Sequence, residues 1–554
     1  MSTKNKKNTS SADNLLDKVN NYLKKRSSLI FSIIMFLFLL LTLINFDLKL
    51  SIEHDDALYI KSAYKYATDF TNNYHTANAP FYPMFMAIIV AVFGLKLGII
   101  KICSTIFMFI SLVMFYKALK DKISYVLLFS SLSITAFCFL IVYFSYHAFT
   151  EAFFMMLQSI FLYLFVKIHD DIFVKNNFPS IKQWLLFGLM LFLLPFTKSV
   201  LYAIIPVLVV FFLFYKQVKA AIYTVVSFGI FQGLFSIIKP IVWAGVNTSS
   251  AHQMKKLLQK DPYKPEEGME DFAGFLTRIY DNFELYISKR LYDLLSITPN
   301  STETSGFLLF ITFVLLGITF YWAFKKKDKI TVFLFLYASS LVFASCVMLQ
   351  ARWDQPRIIM IYLPIIVILL FYGLYQILHK RNIFALNILF VFIALIILPI
   401  AGFKRTFSQS KDNIVTIRKN LNGNKYAGYT PDWVNYIKMS EWVAQPGNLP
   451  EGSYVACRKP PVSFVHSGGM DFFGIYSVPS ENADTLLMKL KKNGVTHVIM
   501  ANLRRDPNRK TEYTINTVRR YLYNIQKKYP NALVKVHQIG DSEEAILFKI
   551  NYPY

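Results

Sequence analysis

Four consecutive residues, Glu53, His54, Asp55 and Asp56, place three carboxylic acids and an imidazole directly after the first long apolar segment of a 554-residue chain. Carboxylates and imidazoles are the side chains that move protons near neutral pH, and a carboxylate is equally the group that caps a helix and complements its dipole. The stretch that follows, "LYIKSAYKYATDF", repeats Leu58, Tyr59, Ala63, Tyr66, Ala67 and Phe70 at helical spacing. That spacing predicts an amphipathic helix lying in a membrane interface, with Asp55 and Asp56 in its first turn, as proton acceptors or as caps. Other charges also border apolar runs: Glu151 in "HAFTEAFF", Lys198 in "LFLLPFTKSV", and Arg352 and Arg357 on either side of "WDQP". Two arginines suit phosphate oxygens, while Asp354 between them offers a plain ion pair. Lys198, Lys96 and Lys101 read as anion ligands or as lysines snorkelling to the interface, and Glu151, after Thr150, as an outer-end helix cap. Arg278 and Arg290, in "FLTRIYDNFELYISKRLYDLL", would guide a lipid or touch anionic headgroups. His75 and His252 are the candidate metal ligands, with an ordinary surface role as the alternative.

These charges are exceptions in a chain that is 55% hydrophobic and 17% charged, with 52 Phe and 34 Tyr. Such a composition excludes a soluble globule and predicts a multi-spanning membrane protein. The formal net charge of +25 sits largely in short Lys and Arg clusters between apolar runs, a sign of topology and not of a nucleic-acid partner. Cys103, Cys138 and Cys346 fall in apolar segments and only Cys457 in the polar tail, so no disulfide framework or CxxC metal site is available.

The basic residues 1–27 read as a cytoplasmic N-terminus, and Ser28 to Phe46 as an uncleaved signal anchor. Ala79 to Gly94 has two prolines and only about fifteen apolar residues, short of the roughly twenty that a crossing needs. Laying that stretch in the outer interface puts "KALKDK", "KQVK", "KKKDK" and "HKR" all inside. The path then crosses eleven times, near residues 28–46, 97–117, 123–143, 152–168, 183–197, 201–215, 220–240, 306–324, 330–349, 358–377 and 383–403. Three stretches meet outside: the loop 47–96, the long loop 241–305 and the tail 404–554. The tail predicts helices in "DWVNYIKMSEWVA", "ADTLLMKLKKNG" (closed by Gly494) and "TINTVRRYLYNIQKKY". Strands are expected in "SYVACRKP" and "VTHVIMANL", with a hairpin around Gly540 and Asp541, making a small α/β domain.

"HDDALY", followed some twenty residues later by "APFYP", resembles the first outer loop of the C-type (GT-C) integral-membrane glycosyltransferases. These include the protein O-mannosyltransferases and the aminoarabinose transferases that modify lipid A. Asp55, Asp56 and Tyr59 match that family's acidic pair and tyrosine, and Pro80, Tyr82 and Pro83 match its proline-aromatic motif. "HAFTEAFF" is similar to its Thr-Glu-Pro element, "LFLLPFTKSV" to its Leu-Thr-Lys-Gly element and "RWDQPRIIMIYLPII" to its Arg-Tyr-x-x-Pro stretch. The resemblance covers roughly residues 25–403 and implies a polytopic helical GT-C domain of 28–403 followed by the extracytoplasmic domain 404–554. Some relatives place a metal-binding acid just before the proline motif, where this chain has Asn78 and Ala79. A divalent metal is therefore an open expectation.

The resemblance further implies a sugar donor carried on a polyprenyl phosphate and an acceptor that is a lipid, an envelope glycan or a protein, in the cytoplasmic membrane of a bacterium. The leaving phosphate is a weak base, so one carboxylate that takes the acceptor's proton suffices, with inversion at the anomeric carbon. Asp55 is the expected base. Asp56 and Glu151 would orient it, raise its pKa or hold a metal, while Tyr59, Tyr82, Lys198, Arg278, Arg352 and Arg357 would bind substrate. The other classes to weigh are a glycolipid transporter or flippase, for which intramembrane charges and inverted repeats would be expected, and a non-catalytic scaffold.

Overall fold

The structure, a computed structural model, describes residues 14–52, 54–76, 78–248, 258–260, 267–349, 354–411, 413–475, 482–504 and 517–553. Eight helices among the described residues are long and apolar enough to span a bilayer: Ser27–Asn45, Leu97–Leu119, Thr150–Phe173, Val218–Val242, Gly306–Lys325, Lys329–Met348, Leu363–Arg381 and Phe384–Ser410. A ninth is formed if Tyr125–Phe137 and Phe139–Ser145, bent by 62° at Cys138, count as one span. The expected fifth and sixth crossings appear as Ile181–Thr197 and Ser199–Phe214, apolar but shorter than the eight long spans. The expected eleven thus resolve into eight or nine long spans and two short helices. Phe81–Phe93, expected in the interface, is likewise a short apolar helix.

Apolar residues cover these helices on nearly all sides, so the chain buries its most tightly packed aromatic surface between helices and leaves others outward, such as Phe36, Val92 and Phe307. The central layer is Thr150–Phe173, whose Phe165 stacks on Phe333 at 3.6 Å. Gln158, on the same helix, donates to the Ile361 carbonyl at 2.9 Å and accepts from the Tyr337 hydroxyl at 2.8 Å. Those bonds anchor the turn Arg357–Met360 to the bundle.

The tail contains each helix and strand read from its sequence, plus two short helices, Asn413–Leu421 and Pro460–His466, and a short strand that were not anticipated. Strands β1 (Val455–Cys457), β2 (Phe472–Gly474), β3 (His497–Ala501), β4 (Leu533–Ile539) and β5 (Ala545–Ile550) form one sheet ordered β2-β1-β3-β5-β4. β1 pairs in parallel with β2 and β3, whereas β3, β5 and β4 are antiparallel. Alternate residues face opposite ways: Ala456 and Val498 join the core under Ala483–Lys492 and Thr517–Lys528, while Val455, Cys457 and Ile499 join the core shared with the membrane bundle.

The tail is thereby docked on the acidic helix Asp55–Thr68. Asp471 pairs with Lys61 at 2.6 Å and Lys65 at 3.2 Å, and Tyr64 meets Phe464 edge-on. Gly469 (φ +113°) lets the backbone approach Tyr64, since a Cβ there would lie 3.1 Å from the phenol ring. This helix buries Ala57, Tyr59, Ile60, Ala63 and Tyr66 against protein, and Phe70 is left exposed.

The segment between the first span and the acidic helix is held from both sides. Lys101, 1% exposed, bonds Asp47 at 2.8 Å and the Lys49 carbonyl at 2.7 Å. It is therefore a buried partner and not a snorkelling lysine. A buried charge left without its partner is strongly destabilising, so Lys101→Met should cost about 3–5 kcal/mol of stability. Adding Asp47→Asn should recover part of that loss. Thermal unfolding in detergent checks both, and a Lys101→Met protein as stable as the parent would disprove the pairing's role.

Candidate active site

The acidic helix begins abnormally. Its N-cap, His54, holds a left-handed backbone (φ 68°), and the His54 amide donates to the Ser51 carbonyl at 3.1 Å. Asp56 turns back into this loop, where its carboxylate accepts from the Ser51 amide at 2.8 Å and the Ser51 hydroxyl at 2.9 Å. Asp56 is 1% exposed, and burial raises its pKa against the lowering effect of those bonds. Its geometry is that of a cap that locks the loop to the first turn. Asp55 points elsewhere: its Oδ2 accepts from Arg357 Nη2 at 2.8 Å, and its Oδ1 has no hydrogen-bond partner among the described residues.

Arg357 is the hub. It sits at the start of its short helix, donates Nε to Gln355 at 2.8 Å and lies 5.7 Å from the Phe149 ring centre. Burial would weaken its charge, but the carboxylates of Glu151 and Asp55 outweigh that and hold the guanidinium firmly protonated. Glu151, in the first turn of the central helix, is buried and accepts from Lys198 Nζ at 3.0 Å. The result is a run of alternating charge, Lys198, Glu151, Arg357, Asp55, contributed by four separate chain segments.

Tyr59 and Tyr82 pack edge-on at 5.4 Å, and the Tyr59 hydroxyl accepts from Asn78 at 3.1 Å. Burial, then Glu151 and Asp55, push the Tyr59 phenol well above its ordinary pKa, so it is a neutral hydroxyl beside the acids. His75 Nδ1 bonds Ser62 at 2.9 Å and burial lowers its pKa to about 4. No group of three His, Cys, Asp or Glu side chains that could hold a metal ion converges among the described residues.

The other expected residues stand outside this group. Arg352 and His252 lie outside the described residues. Arg278, 5% exposed, rests 4.8 Å from the Phe275 ring centre, and none of its guanidinium nitrogens has a hydrogen-bond partner among the described residues. Asp354 pairs with Arg290, not with Arg357, and Arg290 reaches Asp293, which in turn contacts Arg405 at 2.7 Å. Lys96 is exposed at the start of its helix. Sequence reading missed Asp47, Lys459 and Tyr429. The one signal was Lys101, a lone cation one turn into an apolar helix.

This geometry and topology define a polytopic membrane protein with the GT-C fold. No family model and no curated protein matches the sequence. Among solved structures, ArnT from Cupriavidus metallidurans bound to undecaprenyl phosphate is similar with a TM-score of 0.55 at 11% identity, over 94% of this chain and 97% of that one. The Archaeoglobus fulgidus oligosaccharyltransferase in complex with Zn and sulfate is similar with a TM-score of 0.53 at 13% identity, over 85% of this chain and 68% of that one. The oligosaccharyltransferase AglB from the same organism, with an inhibitory peptide and a dolichol-phosphate, gives 0.51 at 13% over 87% and 70%. The likeness inferred from "HDDALY" and "APFYP" thus extends through the fold.

Burial holds His54 and His147 at a pKa of about 3 and His75 and His466 at about 4. Each is neutral when folded and takes a proton more readily when unfolded, below pH ~6.5. Stability should therefore be greatest above pH ~6.5 and fall towards pH 4, by up to about 1.4 kcal/mol per pH unit for each histidine. His54→Asn, which suits the left-handed backbone and does not titrate, should flatten the dependence. Unfolding temperatures measured from pH 8 to 5 check this, and identical slopes in parent and variant would contradict it.

Proposed function

We propose that the protein is an inverting glycosyltransferase that moves a sugar from a polyprenyl phosphate to an acceptor outside a bacterial cytoplasmic membrane, with its N-terminus inside and the tail outside. The observation that carries this reading is the pairing of Asp55 with Arg357 beside the buried Glu151–Lys198 pair, within a fold similar to an undecaprenyl phosphate-bound ArnT. Asp55 Oδ1 takes the proton of an acceptor hydroxyl as its oxygen bonds to the anomeric carbon. The bond from that carbon to the phosphate oxygen breaks, and the electron pair leaves on the polyprenyl phosphate.

Arg357 orients Asp55 through Oδ2, while its Nη1, unpartnered among the described residues, is available to the phosphate. Glu151 keeps Arg357 charged and is itself paired with Lys198, so the positive site exists before the donor arrives. Arg278 offers a second buried guanidinium for an anion. An apolar cavity of about 670 Å³ between Ala203–Val210, Gly306–Lys325, Lys329–Met348 and the helix that follows Arg357 suits the carrier's hydrocarbon.

The test is release of undecaprenyl phosphate by the full-length protein in nanodiscs, supplied with undecaprenyl-phosphate-linked sugars and envelope extract. Asp55→Asn should reduce turnover by roughly 10²–10⁴-fold. Arg357→Lys should raise the donor KM by about tenfold or more, from loss of a charge-assisted bond. Undiminished turnover in Asp55→Asn, or turnover that requires a soluble nucleotide sugar, would sink the proposal.

A further inference from the structure

Asp55 is the first residue of its helix, the position at which helices fray, and the N-cap His54 supplies no side-chain bond to hold it. The cap works backwards from the first turn: Asp56 accepts from the amide and the hydroxyl of Ser51, at 2.8 and 2.9 Å, and from the Ala57 amide at 2.8 Å. Order at Asp55 therefore depends on where Ser51 stands. Both neighbours of Ser51 are held by the tail, since the Leu50 amide donates to the Tyr429 hydroxyl at 2.7 Å and Lys459 Nζ donates to the Ile52 carbonyl at 2.7 Å. We propose that Tyr429 and Lys459 are positioning residues for the transfer, acting through residues 50–52 on the placement of the Asp55 carboxylate; this rests on the transferase reading above.

The two side chains are themselves fixed by the tail. Lys459 is the N-cap of the helix Pro460–His466, and its amide donates to the Tyr436 hydroxyl at 3.1 Å. Tyr436, 1% exposed, also accepts from Ser463 on that helix at 2.7 Å, so the tail's own core anchors the root of the lysine. At the other end of the helix, His466 Nε2 lies 3.3 Å from the Tyr429 hydroxyl, with the two rings edge-on at 5.9 Å. Between them Phe464 meets Tyr64 of the acidic helix at 5.4 Å and lies under Lys61 Nζ at 4.9 Å. One short helix thus places Lys459, steadies Tyr429 and rests on the element that carries Asp55.

Position also separates these two residues from the other groups that hold the loop. Lys101 grips it at Asp47 and Lys49, ahead of the three residues that bond the first turn. Arg357 has anchors of its own in Gln355 and in the charge of Glu151, so loosening residues 50–52 displaces the acid without dismantling the phosphate site. A general base works only within hydrogen-bond reach of the hydroxyl, and placement matters at about 0.5 Å. The tail's contribution therefore falls on kcat and not on donor KM.

The test joins undecaprenyl phosphate release by the full-length protein in nanodiscs with hydrogen exchange, read by mass spectrometry, in peptides containing Leu50, Ser51 and His54. Lys459→Met and Tyr429→Phe each remove one bond to the loop. Both should speed exchange there about tenfold, and lower kcat about 10- to 100-fold with donor KM within about twofold of the parent. In an Asp55→Asn background the same changes should leave the residual rate within about twofold, because they act through that carboxylate. Asp471→Asn, which unlinks the tail from Lys61 and Lys65 without touching residues 50–52, should leave kcat within about twofold. Unchanged kcat in both loop variants, an equal loss in the Asp55→Asn background, or as large a loss in Asp471→Asn would overturn the assignment. Faster exchange in a protein that turns over no undecaprenyl-linked sugar refutes the transferase reading and leaves the tail's restraint of the loop standing. Turnover by the parent, with exchange and kcat unmoved in the variants, refutes the positioning role alone.

Discussion

A guanidinium removed from water must be matched by negative charge, and Arg357 is matched twice, by Asp55 and by Glu151. Much of the architecture around the site follows from that requirement. Glu151 is itself too buried to stand alone and is answered by Lys198 at the end of the helix Ile181–Thr197. The acidic helix, the central helix, Ile181–Thr197 and the turn before Leu363–Arg381 are therefore tied by a single line of alternating charge. Moving any one of them would leave a charge uncompensated in a low-dielectric setting.

The second constraint acts on the segment that leads into Asp55. Its backbone is held at intervals by the tail: Asn413 donates to the Asn45 carbonyl, Asn420 and Tyr429 accept from the amides of Leu48 and Leu50, and Lys459 donates to the Ile52 carbonyl at 2.7 Å. Lys101 grips the same segment from the membrane bundle. Residues 46–52, which have no regular structure, are thus hydrogen-bonded from two domains, which restrains the loop that leads into Asp55. The left-handed His54 is tolerated because the surroundings fix it, and its strain lies immediately before Asp55. The tail therefore acts on the site through backbone hydrogen bonds as well as by covering it.

Long elements with strong patterns were legible in the chain itself. The apolar runs appear as spans, and Gly494, followed by Val495 bonding back to Leu490, ends its helix as expected. The alternating residues on either side of Gly540 form the antiparallel pair β4–β5. Short elements were not legible: Pro460–His466 and β2 are held by contacts with the acidic helix and β1, and carry too few residues to show a period. The bend at Cys138 was equally hidden, because the sequence there remains apolar throughout and hydropathy is blind to direction.

The site divides in the same way. Residue type and order, together with the family resemblance, singled out Asp55, Glu151, Lys198 and Arg357, since charges beside apolar runs are costly and stand out against their surroundings. Their order of pairing was not available from the chain. Whether Arg357 would meet Asp354 two residues before its own helix or Asp55 some three hundred residues away depended on how helices pack, and the structure gives Asp354 to Arg290. The two adjacent aspartates likewise look alike in sequence, yet one faces the loop and the other the arginine, because successive residues at a helix start point about a hundred degrees apart. Composition and spacing determined the membrane class, the elements and the candidate charges of this protein. Partner choice, burial and the tail's hold on the loop before Asp55 were decided only by the tertiary structure, because desolvation and pairing depend on distance in space and not on distance along the chain.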